Sequence, residues 1–172
     1  TDKTGTLTEN RMTVARLHTL HHDVPVRNAP APAAPDVRTE TLPLLLVGAL
    51  CNDAHLVFEE TGRPPQGIGD PTETALLAAA EQAGLPTQSL AREVPRLAEF
   101  AFDSDRKRMT TLHHGGLGDY PLPPPLDAPV LAAVKGSPDG LLDLATHVLA
   151  GDRIVPLHDS ARRHFLAANE RM

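Results

Sequence analysis

The chain has 172 residues, which is enough for one domain with a sizeable hydrophobic core. Its net charge of -6 disfavours nucleic acid as a partner, because nucleic-acid binding calls for a basic face. A single cysteine excludes an internal disulfide, and the longest apolar run, residues 42–51, is about half as long as a membrane-spanning helix.

The first eight residues, TDKTGTLT, are a strong candidate for chemistry. They present Asp2 at the start of a turn rich in threonine and glycine, and a carboxylate in such a turn can act as a nucleophile that accepts a phosphoryl group. The alternative is a hydroxyl-rich turn without function. A run of seven specified residues favours the phosphoryl-accepting interpretation.

Residues 12–26 are predicted to form a β-hairpin whose turn lies at residues 21–23. Its three histidines, His18, His21 and His22, raise the question of a metal site. Because no third type of ligand follows at a recognised spacing, we expect these histidines to be solvated residues of the turn.

A Pro/Ala-rich linker is predicted over residues 28–36, followed by a helix over residues 39–52. Thr41 is the candidate cap of this helix. Pro43 is compatible with it because the proline would fall in the first turn.

The clearest helix start lies at Asp70. Asp70 is the predicted N-cap, Pro71 the first helical residue and Glu73 the acidic member of a capping box, while Gly84 ends the helix. Because the capping box gives Glu73 a structural task, spacing alone indicates no function for it.

The second half of the chain is predicted to mix strands and helices. The predicted elements are a helix at 86–94, strands at 96–103, 106–114 and 130–135, a loop at 115–129, a helix from Ser137 with Leu141, Leu142, Ala145 and Val148 as its buried stripe, and a helix at 159–169. This order predicts an α+β fold, in which a mainly antiparallel β-sheet is flanked by helices.

Two stretches of this half are candidates for ligand binding. In the first, strand alternation would place Phe102 on the same face as Phe100, and Lys107 on the same face as Met109. If the two faces coincide, an aromatic ring, a thioether and an ammonium group converge, as suits a purine nucleotide. In the alternative interpretation, Phe102 and Met109 are core residues.

The second stretch consists of Lys135 and Gly136, at the end of a strand and before a helix capped by Ser137. Gly136 would let a ligand approach the backbone closely, and Lys135 carries a charge suited to phosphate or to a polar base edge. The same pattern is equally typical of an ordinary strand-to-helix turn without a ligand site.

These stretches resemble, in sequence and order, the nucleotide-binding domain of type II P-type ATPases, most of all the calcium-pump branch. The matching runs are DKTGTLT at 2–8, CND at 51–53, GDPTE at 69–73, FDSDRKRM at 102–109 and KGSPD at 135–139. The resemblance implies that residues 1–10 are the edge of the phosphorylation domain and its hinge. Residues 11–172 would be the nucleotide-binding domain, without its final return strand.

The resemblance also implies a site. In that family the residue matching Phe102 stacks on adenine, and the residue matching Glu73 contacts the adenine amino group. The other residues implied to line the ATP pocket are Lys107, Met109, Lys135 and Gly136. Asp2 would receive the γ-phosphate, and Asp2 and the backbone carbonyl of Thr4 would help to hold Mg²⁺.

By the same resemblance, the parent protein is an ATP-hydrolysing cation pump, and this chain is a cytoplasmic domain of an integral protein of the cell membrane. Its partners would be ATP and the phosphorylation, actuator and membrane domains of the pump, and the isolated domain would be a monomer. We expect the chain to bind ATP weakly and to hydrolyse none. Calcium is the favoured ion, with manganese, sodium or potassium, and protons left open.

Two other functions stay open on the sequence alone. The first is a soluble phosphatase of the haloacid-dehalogenase type, a class that also begins with an aspartate that becomes phosphorylated. Such phosphatases have a second aspartate, which acts as a general acid/base, at the position that Thr4 occupies here. A non-catalytic interaction module would leave the matches to the ATP pocket as coincidence.

Overall fold

A computed structural model of the chain describes residues 12–26, 35–58, 65–115, 120 and 128–171. The strands are β1 (Arg16–His18), β2 (Asp23–Pro25), β3 (His55–Val57), β4 (Gln66–Ile68), β5 (Arg96–Asp103), β6 (Arg108–His114), β7 (Val130–Gly136), β8 (His147–Ala150) and β9 (Arg153–Pro156). The helices are α1 (Pro35–Leu50), α2 (Pro71–Gln82), α3 (Thr87–Glu93), α4 (Pro138–Leu144) and α5 (Asp159–Arg171).

The strands of the described residues pair antiparallel. The sheet that carries most of the candidate site has three strands in the order β5-β6-β7. The other strands form the hairpins β1–β2, β3–β4 and β8–β9. Together with the flanking helices, this arrangement confirms the predicted α+β class.

The hydrophobic core lies where α1 meets α2, α3 and the three-stranded sheet. Leu46 of α1 and Ala80 of α2 are almost completely buried, and Met109 of β6 and Ala133 of β7 close the core from the sheet side. Burying a side chain the size of leucine or methionine stabilises a fold by about 1.5–3 kcal/mol. The packing therefore determines which face of the sheet is turned towards α1.

Helix α1 begins earlier than predicted. It starts at Pro35, where a missing N–H costs no helical hydrogen bond, and Asp36 complements the helix dipole in the first turn. Pro43 consequently lies in the helix interior, where its buried ring packs in the core. The predicted cap is also wrong, because the Thr41 hydroxyl donates to the carbonyl oxygen of Val37 inside the helix.

Short strands account for other differences from the prediction. The hairpins β3–β4 and β8–β9 were missed because strands of three or four residues are too short to show an alternating pattern. As a result, α4 ends at Leu144, and Val148 belongs to β8 rather than to the buried stripe of a helix. None of the helices in the described part of the chain has both the length and the apolar character needed to cross a membrane.

Candidate functional site

The start of α2 is capped by Asp70 alone. Its Oδ1 accepts hydrogen bonds from the backbone N–H groups of Thr72 at 2.8 Å and Glu73 at 3.3 Å. The bond from Thr72 and then the bond from Glu73 lower the pKa of Asp70, so the cap carries its charge at neutral pH. This arrangement confirms the predicted N-cap. The predicted capping box is wrong, because the Glu73 carboxylate contacts Asp53 and Lys135 instead of the N-cap backbone.

The Glu73 carboxylate joins α2 to the end of β7. One of its oxygens accepts a hydrogen bond from the backbone N–H of Asp53 at 3.1 Å, and the other forms an ion pair with the Lys135 ammonium group. The two side chains are 15% and 27% exposed, so a ligand can still reach both. Asn52 holds the helix in place, since its side-chain amide donates to the Glu73 carbonyl at 3.0 Å.

A β-bulge in β5 sets the direction of Phe102. Phe100 is paired with Thr110 and Asp103 with Arg108, so two residues of β5 stand against Met109 alone. The extra residue reverses the alternation beyond it and puts Phe102 on the Met109 face of the sheet, opposite to Phe100. The prediction that Phe100 and Phe102 share a face is therefore wrong.

The bulge produces a row of candidate residues across the three strands. Phe102 stands against Met109, and Met109 is paired with Lys135 on β7. Since neighbouring strands lie about 4.8 Å apart, the backbones at the two ends of the row are roughly 10 Å apart, a span that suits a base and its sugar. Phe102 is 65% exposed and so is not a core residue.

Met109 occupies the middle of this row but belongs to the core. Its side chain is 2% exposed and packs in the hydrophobic core cluster on the same face of the sheet. The interpretation of Met109 as a core residue is therefore confirmed, whereas that of Phe102 is wrong. Met109 lies between Phe102 and Lys135 but offers little surface of its own to a ligand.

Lys107 lies in the turn between β5 and β6 rather than in a strand. The turn is held by Asp103, whose Oδ1 accepts from the N–H groups of Asp105 at 3.0 Å and Arg106 at 2.9 Å. Lys107 follows with a φ of 49°, in the left-handed region, and β6 begins only at Arg108. The predicted strand from residue 106 therefore begins two residues too early, and Lys107 shares no strand face with Met109.

Gly136 is required by the packing of the sheet. A Cβ atom at this position would lie 2.4 Å from the Lys107 carbonyl oxygen and 2.7 Å from the Arg108 Cβ. The same carbonyl accepts a hydrogen bond from the Ser137 N–H at 3.1 Å, which fixes the turn into α4. Ser137 occupies the N-cap position as predicted, but its hydroxyl is buried and has no hydrogen-bond partner among the described residues.

The histidines of the first hairpin are not simply solvated. His18 lies against α5, with its Nε2 3.1 Å from the Nε2 of His164, and the Nδ1 of His21 is 2.6 Å from the buried Glu40. The expectation of solvated turn residues is therefore wrong for His18, whereas His21 lies in the turn with 55% of its side chain exposed. Within the described ranges, no group of three or more His, Cys, Asp or Glu residues is arranged to hold a metal ion. Asp2 and Thr4 lie outside the described residues.

An apolar groove of ≈ 660 Å³ lies between α1, β7, α4 and α5, and Lys135 and Gly136 belong to its lining. Its lining includes Leu44, Val47, Leu141, Val148 and Phe165. β7 pairs only with β6 among the described residues, so its other edge borders this groove.

The fold and the row of residues define an α+β domain that carries the sequence runs of ATP-driven ion pumps. Residues 40–172 match the family described as P-type ATPase, cytoplasmic domain N. The chain belongs to this family. That membership also disfavours the soluble phosphatase and the interaction module.

Similar proteins are named as ion-transporting ATPases. Calcium-transporting ATPase 1 of Lactococcus lactis subsp. lactis (strain IL1403) is 36% identical over 171 residues, which cover 99% of this chain and 17% of that protein. The probable cation-transporting ATPase F of Mycobacterium bovis is 39% identical over 165 residues, which cover 88% of this chain and 17% of that protein. The sodium/potassium-transporting ATPase subunit alpha-4 of Rattus norvegicus is 30% identical over 171 residues, 95% of this chain and 16% of that protein. The chain therefore spans about a sixth of the length of these relatives.

Proposed function

We propose that this domain binds ATP on the row formed by Phe102, Met109 and Lys135 and presents it to Asp2 in a cation-transporting pump. The observation that carries the proposal is the β-bulge, which brings an exposed aromatic ring onto the same face as the Glu73–Lys135 ion pair. An aromatic ring and a carboxylate are what the base and its amino group require, and an ammonium group suits a polar edge of the base.

Each group has a definite task in this proposal. Phe102 stacks on adenine, which is worth about 1–3 kcal/mol for one base. The Glu73 carboxylate accepts a hydrogen bond from the adenine amino group, for which its partial exposure leaves room. Lys107 supplies positive charge for the phosphates, while Lys135, which is paired with Glu73, lies at a polar edge of the base. Gly136 lies beside the base at the end of β7.

The reaction in the parent protein is transfer of the γ-phosphate to Asp2. The Asp2 carboxylate forms the new bond to phosphorus while the bond to the ADP oxygen breaks, so the aspartate carries the phosphoryl group. The same proposal assigns Mg²⁺, which neutralises phosphate charge when bound, to Asp2 and Thr4. Since the rest of the catalytic machinery lies in other domains, we expect the 172-residue chain to bind ATP weakly and to hydrolyse none.

The names of the relatives support a pump as the parent protein. Several relatives are named as calcium- or cation-transporting ATPases. We therefore propose calcium or a similar cation as the transported ion, with this domain on the cytoplasmic side of the cell membrane. Its partners are then the phosphorylation, actuator and membrane domains, and the isolated domain is a monomer.

We also propose the domain division predicted from the sequence, with residues 1–10 as the edge of the phosphorylation domain and its hinge and residues 11–172 as the nucleotide-binding domain. An unpaired edge of β7 beside an apolar groove fits one further strand, so we propose that the return strand of the parent pump lies there. A chain extended by the following pump segment should then unfold at a higher temperature than the 172-residue chain. An equal or lower unfolding temperature would contradict this assignment.

Two phenylalanines of β5 provide a matched test of the ATP site. Phe102→Ala should weaken ATP binding roughly five- to 150-fold, which corresponds to the loss of one stacked base. Phe100→Ala should leave the dissociation constant unchanged, because Phe100 is similarly exposed but lies on the opposite face of the sheet. Isothermal titration calorimetry measures both. Equal losses in the two variants, or none in Phe102→Ala, would refute the proposed site.

A further inference from the structure

The imidazole rings of His18 and His164 meet where β1 packs against α5. Their Nε2 atoms are 3.1 Å apart, although the residues are 146 positions apart in the chain. The rings are stacked, with centroids 4.8 Å apart and planes inclined by 27°, and the Phe165 ring lies perpendicular to His18 at 5.9 Å. These aromatic contacts hold the two rings in fixed positions.

The separation of the two nitrogens suits a shared metal ion. If one ion lay at the usual zinc–nitrogen distance of about 2.05 Å from both nitrogens, the nitrogen–metal–nitrogen angle would be about 98°. This angle lies between about 90° for square or octahedral coordination and about 109° for tetrahedral coordination. Neither ring has to move far for both to bind one ion.

The surrounding charges neither exclude a cation nor hold one strongly. Asp23 stands opposite His18 in the register of β1 and β2 and favours a positive ion. Arg16, which is ion-paired with Asp23 at 2.7 Å, and Arg171 oppose it. The site therefore depends on the two imidazole nitrogens and should bind more weakly than structural zinc sites with four protein ligands.

We propose that His18 and His164 together bind a divalent transition-metal ion such as Zn²⁺, with water completing its coordination. Imidazole nitrogen suits Zn²⁺ and Ni²⁺, whereas Mg²⁺ and Ca²⁺ prefer oxygen ligands. The bound ion ties α5 to the β1–β2 hairpin and stabilises the folded domain, because the unfolded chain does not bring the two histidines together. This proposal does not depend on the proposed binding of ATP, although His18, Lys135 and Gly136 line the same groove.

Thermal unfolding of the 172-residue chain with added Zn²⁺ tests the site. At a free Zn²⁺ concentration one hundred times the dissociation constant, the unfolding temperature should rise by about 5–10 °C, and Mg²⁺ should give no such rise. His18→Ala and His164→Ala should each abolish the rise. His114→Ala is the matched control, because His114 is exposed at the end of β6 and should leave the rise intact.

Ring-nitrogen NMR of the unsubstituted chain gives a second measurement that does not depend on how the variants fold. Addition of Zn²⁺ should shift the Nε2 signals of His18 and His164 together, with a stoichiometry of one ion per chain. An equal rise in unfolding temperature for wild type and His164→Ala would overturn the proposal. Shifts confined to other histidines would overturn it as well.

Discussion

Gly136 stands at a point where the backbone of β7 comes very close to the turn before β6. A methyl group there would lie 2.4 Å from the Lys107 carbonyl oxygen, so Gly136→Ala must displace backbone atoms. We expect the free energy of unfolding to fall by about 1–3 kcal/mol, as for other overpacked sites. Urea denaturation measures this change.

Gly140→Ala in α4 is the matched control for Gly136→Ala. Its new methyl group would meet only the Ser137 hydroxyl oxygen, at 3.0 Å, and alanine favours the helix by about 1 kcal/mol over glycine. We expect unchanged or slightly raised stability. If Gly136→Ala were as stable as Gly140→Ala, the close approach of β7 to the turn before β6 would be wrong.

Substitutions of Lys107 separate the effect of its backbone strain on stability from the effect of its charge on ATP affinity. Its φ of 49° is unfavourable for a residue with a side chain and natural for glycine. We therefore expect Lys107→Gly to be no less stable than wild type in urea denaturation, while its affinity for ATP falls because an ammonium group is lost. Lys107→Arg keeps the charge and should retain more of the affinity. Full ATP affinity in Lys107→Gly would contradict a phosphate-binding role.

The sequence predicts single residues well where the physical cause is local. The Asp70 cap and the positive φ of Gly84 after α2 follow from residue types within one turn. The face of Phe102 could not be predicted, because it depends on how β5 pairs with β6. The bulge that decides it becomes visible only when Phe100 and Asp103 are matched with their partners.

At the scale of the elements, a buried carboxylate connects three parts of the chain that lie far apart in sequence. Glu40 of α1 is 2% exposed and accepts hydrogen bonds from the Gly151 N–H at 2.6 Å, from the Thr19 hydroxyl and from His21. It thereby links α1 to the β1–β2 and β8–β9 hairpins. Sequence patterns gave no sign of this role, since Gly151 is 111 positions away.

Glu40 should make stability depend on pH. Burial alone would raise the pKa of Glu40, but the hydrogen bonds from Gly151, Thr19 and His21 outweigh it and lower the pKa to about 2. Since the folded pKa lies below the ordinary value of 4.5, the stabilisation is present above pH 4.5 and is lost as the pH falls towards 2. Above pH 4.5, the ionised Glu40 carboxylate contributes about 3 kcal/mol to the free energy of unfolding.

The Glu40→Gln variant isolates this contribution. In urea denaturation, wild type should be more stable than Glu40→Gln at pH 7, and the difference should shrink as the pH falls from about 4.5 to about 2. Glu170→Gln, an exposed change in α5, should show no comparable difference. A difference between wild type and Glu40→Gln that stays constant with pH would exclude Glu40 as the titrating group.

For the whole molecule, the fold class could be predicted because strand and helix signals were spread along the chain in a mixed order. The predicted site was distributed in the same way, over sequence runs that lie far apart. The structure brings Glu73, Phe102, Met109, Lys135 and Gly136 to one region of a three-stranded sheet. Short hairpins and contacts between distant residues, such as that of His18 with His164, lay beyond what local patterns can predict.

The measurement that tests the central claim most directly is an NMR titration of the 172-residue chain with ATP. We predict that the amide signals that shift cluster on Glu73, Phe102, Lys135 and Gly136, and that Phe102→Ala weakens the binding while Phe100→Ala does not. Shifts that avoid this row, or an identical response in Phe102→Ala, would contradict an adenine nucleotide site on this face of the sheet.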